Sequence, residues 1–302
     1  MKLLPLSDVL STPLFLCPMN IIIWNSRGAL KPNFQNHVRE LAQTHDPAIF
    51  VIMETKLGGD RAREITDRLP FDGAIHTDTI GYAGGLWLLW NSDLVEIESL
   101  AKTEQEIHVE VKVRSSNLTW IFSAVYASPR SEERIILWEN LAKVADLHRL
   151  PWVLAGDFNE PLINEDKFGG KGLSRNRSLL FKDCLDRCSM MDLGFSGPKY
   201  TWTNKRDINN LILERIDRFY MNPEWCALYL EAKITHLPSC HSDHCPVLLE
   251  TCPGRATPLT RPLQEFWLSD TSFLNVVAKA WHNNRGLADS IDSFSKEAKH
   301  PL

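Results

Sequence analysis

This chain of 302 residues holds no apolar run approaching the roughly 18 residues of a membrane-spanning helix, so no membrane partner is expected. Nor does it carry a convincing secretory leader. Met1 to Cys17 is mildly apolar with Lys2 near the start, but Asp8 and Pro13 interrupt its centre and no small-x-small cleavage site follows. Met19 is an alternative start, which leaves residues 1–18 as an N-terminal extension. Paired cysteine spacing is missing as well. The seven cysteines are odd in number and scattered, which suits a reducing, intracellular compartment and not a disulfide framework. Cys240, His241, His244, Cys245 and Cys252 lack the CxxC knuckle spacing of a structural zinc site. Cys184 and Cys188, four apart on a predicted helix, read as a core stripe. There is no general excess of positive charge: 33 Lys and Arg face 38 Asp and Glu, a net charge of −5. Bulk attraction to nucleic acid is therefore excluded as the main basis of binding. Locally the balance reverses, because eleven Lys or Arg stand against six Asp or Glu between Lys167 and Arg218. That stretch either steers a polyanion or forms a solvated face.

Apolar runs that alternate between strand-like and helix-like stretches are what the sequence does have. Asn20 to Trp24 and Ala48 to Met53 are short and β-branched, and read as buried strands. Between them, Phe34, Val38, Leu41 and Ala42 follow Pro32 at helical spacing. Leu86 to Trp90 and Thr119 to Tyr126 read as further strands. Alternation at Ile107, Val109, Val111 and Val113 predicts a half-buried one. Ser131 is expected to cap a helix whose buried face carries Ile135, Trp138, Leu141, Val144 and Ala145. Pro151 to Ala155 is a strand that delivers Gly156-Asp157-Phe158-Asn159. A helix from Leu179 to Cys188, a short helix over 223–229, and strands near Ile212–Tyr220, Ile234 and Val247 complete the domain. Interspersed strands and helices of this kind predict a layered α/β sandwich. After Thr251 a Pro-rich linker leads to Phe266, Trp267, Leu274, Val277, Ala278 and Trp281, spaced as one face of an amphipathic helix.

Polar residues sit where these apolar runs end. Hydrolysis of a phosphodiester needs a divalent cation, an oriented water and neutralisation of the charge that grows on the non-bridging oxygens. Glu54, after five apolar residues, is a candidate first ligand for a hard cation; a surface Glu54 paired with Lys56 is the plain alternative. Asp157 follows the same pattern, with Gly156 letting the backbone approach a ligand and Asn159 offering an amide to a phosphate. His244 can donate to a phosphate oxygen if Asp217 or Asp243 orients its other nitrogen. Tyr126 and Asn25 are neutral donors that could equally be satisfied core groups.

Taken in order, Asn25-Ser26-Arg27-Gly28, Glu54-Thr55, Tyr126, Gly156-Asp157-Phe158-Asn159, Tyr200-Thr201-Trp202, Glu214-Arg215-Ile216-Asp217-Arg218 and Ser242-Asp243-His244 resemble the endonuclease/exonuclease/phosphatase family. Within it the likeness is greatest to the apurinic-type endonuclease domain of LINE-type non-LTR retrotransposons, especially those of plants. It covers residues 19–251, with 252–302 similar to the linker and helical tail that lead towards a reverse transcriptase absent from this chain. The resemblance implies a four-layer α/β sandwich of two packed mixed sheets flanked by helices, acting as a monomer on DNA in the nucleus. It implies Mg2+ or Mn2+ as cofactor and a nick that leaves a 3′-hydroxyl. By the same likeness Glu54 and Asn25 hold the metal and Asp157 orients or activates the water. Asn159 and Tyr126 hold the phosphate, Asp217 orients His244 against it, and Asp243 supports the metal or the histidine. Thr201, Asn204, Lys205, Arg206 and Ser242 meet the DNA. Arg27 departs from the apurinic repair enzymes, which carry an acidic residue there. Rival expectations are a phosphatase for another phosphoester on the same scaffold, or a truncated transposon relic without cellular activity. The Trp-Cys-Asp-Arg segment of the inositol phosphatases is missing.

Overall fold

The computed structural model describes residues 19–79, 84–239 and 241–253. Its first half contains β1 (Asn20–Asn25), α1 (Phe34–His45), β2 (Pro47–Met53), α2 (Gly59–Thr66), β3 (Gly73–His76), β4 (Leu86–Trp90), β5 (Val95–Lys102), β6 (Glu106–Val113) and β7 (Thr119–Tyr126). The second half contains α3 (Ser131–Leu147), β8 (Trp152–Asp157), β9 (Lys167–Phe168), α4 (Arg175–Arg187), β10 (Trp202–Thr203), β11 (Leu213–Glu214), β12 (Asp217–Met221), α5 (Pro223–Leu228), β13 (Lys233–His236) and β14 (Val247–Glu250).

Two mixed sheets form, ordered β13-β14-β1-β2-β4-β3 and β12-β8-β7-β6-β5, with a small third sheet β10-β11-β9 at one end. Each large sheet holds one parallel pair, β1 with β2 and β7 with β8. Strands running the same way need a crossover, and the sequence supplies α1 and α3 for it. The period-2 alternation of each strand then sorts its side chains into separate cores. Ile21, Ile23, Ile49, Val51 and Met53 point between the sheets and meet Phe122, Ala124, Val153, Ala155 and Phe219. Ile22, Trp24, Phe50 and Ile52 point the other way and pack under α1 and α2 with Phe34, Val38 and Ile65. Ile121, Val125 and Leu154 pack under α3 and α4 with Leu137, Trp138, Phe181, Cys184 and Cys188. Helices, sheet, sheet, helices: the four layers follow from which way each alternate residue faces.

Two local expectations shift. Ser131 is the first residue of α3, not its cap; Arg130 takes that place, and the Ser131 hydroxyl bonds Glu132 instead. The buried stripe runs Arg134, Leu137, Trp138, Leu141 and Ala142, so Ile135 turns outward and is 42% exposed. The cause is Arg134, whose guanidinium is drawn inward by Glu160 and the carbonyls of Ser128 and Pro129. The two ends of the described fold are stitched together, since the Met19 amide bonds the Thr251 hydroxyl and the Thr251 amide bonds the Met19 carbonyl. The predicted helix over 263–282 and residues 1–18 lie outside the described residues. Among the described residues no helix is long and apolar enough to cross a membrane.

Candidate active site

Because β1 presents Ile21 and Ile23 to the space between the sheets, Asn25 must face the same way, and it does so fully buried. Its amide nitrogen donates to Glu54 Oε1 at 3.2 Å and to Asp157 Oδ2 at 2.9 Å. One neutral side chain thus bridges two carboxylates carried by opposite sheets. Glu54 stands one residue past β2 in the left-handed region, with φ 50°. Thr55 and Lys56 are held there by backbone bonds to Gly85 and Gly84. A Cβ on Gly85 would come within 2.3 Å of the Thr55 hydroxyl, so this close stitching requires glycine.

Asp157 ends β8, opposite Asp217 in the antiparallel ladder with β12. Gly156 is also required by the sheet itself. A Cβ there would fall 1.8 Å from the Val125 carbonyl, so glycine admits the neighbouring β7 backbone. Asn159, also left-handed at φ 47°, bonds its backbone N–H to Asp157 Oδ1 and its amide to the Ala127 carbonyl at 2.8 Å. Asp217 takes His244 Nδ1 at 2.9 Å and 3.2 Å, and the same nitrogen lies 3.9 Å from Asp157 Oδ2. His244 is itself 2% exposed and forms a backbone bridge with Trp202.

Charge in this floor is unevenly matched. Burial, followed by the neighbouring Asp217, raises the Asp157 carboxyl above the usual carboxylate range, against the pull of His244 and Asn25. Burial works against the His244 imidazolium, but Asp217, Asp157 and Asp243 outweigh it and lift the group to about 9. The Tyr126 phenol is raised by burial first and then by Glu54 and Asp157 beside it, so it stays protonated as a donor. Glu54, Asp157 and His244 each offer a ligand atom within 4.8 Å of one another. Two buried carboxylates sharing a single amide, with a third across the ladder, fit a divalent cation: the oxygen donors are in place and a positive charge is what they lack.

The expected DNA-contacting residues divide into two kinds. Thr201 is fully buried; its hydroxyl accepts from the amides of Ile216 and Asp217, and its carbonyl accepts from Cys245. It positions Asp217 and the His244 segment and has no surface to offer DNA. Ser242 is likewise 2% exposed, and its hydroxyl donates to the Asn25 carbonyl at 2.7 Å while accepting from the His244 amide. Asn204 organises the β10–β11 loop through Asn210 and Ile212. Lys205 and Arg206 are exposed on that loop.

Sequence reasoning named Arg27 and Lys205 but left out Lys31 as their neighbour. Lys56, Arg27 and Lys205 each lie within electrostatic reach of Lys31; burial first, and then these three cations, lower the Lys31 ammonium, while Asp243 raises it. The signal was available, since Lys31 stands three residues after the Asn25–Gly28 motif and Lys56 directly after Glu54-Thr55. The Glu54–Lys56 pair considered as the plain alternative does not form among the described residues; Lys56 is exposed and Glu54 pairs with Arg27. The basic stretch is also not one surface. Arg215 and Arg218 are buried against Asp166 and Asp192.

Two sheets packed face to face between helices, with polar residues converging at their ends, define a hydrolase fold of the nuclease and phosphatase type. Residues 22–270 match the Endonuclease/Exonuclease/phosphatase family, and the chain belongs to it. Among solved structures the chain is similar to an AP endonuclease of Leishmania major, at 16% identity and TM-score 0.61 over 77% of this chain and 87% of that one. It is similar to the endonuclease domain of TRAS1, a telomere-specific non-LTR retrotransposon, at 15% identity and TM-score 0.58 over 76% and 97%. A 3′ phosphatase, NExo from Neisseria, solved with a product DNA hairpin, aligns at 19% identity and TM-score 0.57 over 76% and 98%. At these identities the likeness is one of fold. No curated protein matches the sequence.

Proposed function

We propose that the protein is a magnesium- or manganese-dependent DNA-nicking endonuclease derived from a LINE-type retrotransposon, acting in the nucleus. The observation that carries this reading is an acidic floor ringed by cations. Glu54, Asp157, Asp217 and Asp243 gather at the sheet ends; Arg27 touches Glu54 and Asp243, Lys31 feels Asp243, and Lys56 and Lys205 lie near Lys31. A carboxylate floor repels a phosphate unless a divalent ion mediates, while a basic rim attracts a polyanion that extends past the scissile group. An inositol phosphate or other small phosphoester would have less use for a rim of that extent.

Glu54 and Asn25, with Asp157 beside them, would hold the ion, which neutralises phosphate charge and lowers the pKa of a bound water. The chain's own groups do the rest. Asp157, kept on its heading by the Asn25 side chain and the Asn159 backbone N–H, accepts the proton of the attacking water. His244, charged at neutral pH and fixed through Nδ1 by Asp217, turns its other nitrogen to a non-bridging oxygen. Tyr126, protonated throughout, donates to the phosphate or the leaving oxygen. Residues 19–251 would form the catalytic domain, with 1–18 an extension and 252–302 a linker and tail.

The test is a side-by-side assay of supercoiled plasmid, an abasic oligonucleotide and inositol phosphate with Mg2+. Plasmid nicking well above the other two is expected. Preferential release of phosphate from the inositol would replace this reading with the phosphatase one, and inactivity on all three would favour the relic.

A further inference from the structure

Arg27 occupies a place that the rest of the site does not explain. Its guanidinium spans two carboxylates, with Nη1 3.5 Å from Glu54 Oε1 and Nε 3.4 Å from Asp243 Oδ1. The side chain is 44% exposed, so the core asks nothing of it. Its backbone nevertheless sits at φ 55°, a left-handed conformation that is unfavourable for a non-glycine residue. An Asn or Gly would rest there with less strain. The turn is held rigidly all the same. The Arg27 amide bonds Asn25 Oδ1 at 3.1 Å, Ser26 bonds the Met53 carbonyl, and Ala29 bonds the Thr55 carbonyl. The strained turn therefore aims one particular side chain across the mouth of the acidic floor.

We propose that Arg27 is a built-in cation that fills the Glu54–Asp243 side of the site, so that the site takes one divalent ion and not two. This rests on the metal-dependent reading above. A guanidinium stays charged at every working pH and can donate to two carboxylates at once. Asp243 is drawn into the arrangement from its other oxygen, which accepts the Trp202 indole N–H at 3.1 Å. Both Asp243 oxygens are thus engaged by protein donors before any ion arrives. Charge points the same way. Outside the His244–Asp217 pair, Arg27 is the cation in contact with Glu54 and Asp243, with Lys31 farther off beside Asp243. Each positive charge the chain already supplies lowers the number of divalent ions that the three carboxylates can hold. Glu54 keeps Oε2 free of Arg27 and Asn25, whose contacts both fall on Oε1, so one ion still has a carboxylate oxygen to take.

The experiment is a Mn2+ titration of the full chain followed by calorimetry and by the electron paramagnetic resonance of free Mn2+. Wild type, Arg27→Lys, Arg27→Asp and Asp157→Ala are compared. Aspartate tolerates the left-handed region better than arginine, so Arg27→Asp keeps the fold, which circular dichroism checks. Wild type and Arg27→Lys are expected to bind one ion per chain and Arg27→Asp two. Two ions on wild type, or one on Arg27→Asp, overturn the proposal while leaving metal dependence standing. No ion on wild type overturns both together.

Discussion

Two buried charged clusters lie close together in this protein and are built on opposite plans. In one, Arg218 and Arg215 meet Asp166 and Asp192 at hydrogen-bonding distance, and Arg215 also covers the Phe195 ring at 4.3 Å. Every charge there has an answer, and the cluster ties the turn before β9 and the loop at Asp192 to β12. In the other, Glu54, Asp157, Asp217 and Asp243 outnumber their cationic partners, and neutral donors such as Asn25 and Trp202 make up the shortfall. A balanced buried cluster is scaffold. An unbalanced one must be sustained by the surrounding fold, and that excess is what a cation-dependent site needs.

The largest effect that tests this contrast is on catalysis. Asp217→Asn should lower nicking by a factor on the order of 10³ because His244 loses its orienting charge, with the melting temperature nearly unchanged. A comparable loss of stability would place Asp217 with the scaffold. Arg218→Met should do the reverse. It takes from Asp166 its nearest cation and leaves Arg215 alone to serve both Asp166 and Asp192, and should cost about 3 kcal/mol of stability, read by urea unfolding. Third, Mg2+ at a hundredfold excess over its dissociation constant should stabilise wild type by about 2.7 kcal/mol. Asp157→Asn should abolish that gain and, in chelator, melt above wild type, because it removes a buried carboxylate that Asp217 opposes.

The smallest effect concerns acid. Burial holds His236 down to about 4, with Nδ1 donating to the Pro198 carbonyl at 2.7 Å. The unfolded chain takes up this proton near pH 6.5 and the folded one only near 4. The stability His236 contributes is therefore complete above 6.5 and is lost as pH falls through 4. Unfolding curves at pH 7, 5 and 4 should show wild type losing more than His236→Asn, which does not titrate; parallel losses would show that His236 plays no part.

Much of this was legible in the sequence because it obeys short periods. Ile21, Ile22, Ile23 and Trp24 alternate between two cores as a strand inside a layered fold must, and the residue after such a run, Asn25 or Asp157, inherits a known facing. The ordered motifs made the family readable as well. What escaped depends on contacts distant in the chain. Nothing near Thr201 says that its hydroxyl is already taken by the Ile216 and Asp217 amides, so an inward anchor read as a DNA contact. Arg215 and Arg218 counted as surface charge because their partners, Asp166 and Asp192, lie 23 to 52 residues earlier in the chain. Ile135 was misfaced because Arg134 finds Glu160 across the fold.

The central claim is that the unbalanced cluster hydrolyses phosphodiesters with the help of a divalent ion. Its most direct test is conversion of supercoiled plasmid to the nicked circle by wild type, Asp157→Ala and His244→Ala, each in Mg2+ and in chelator. Nicking by wild type in Mg2+ alone, with both variants lower by a factor of about 10² to 10⁴, is the predicted result. Equal nicking by all three proteins, or nicking that survives the chelator, would contradict it.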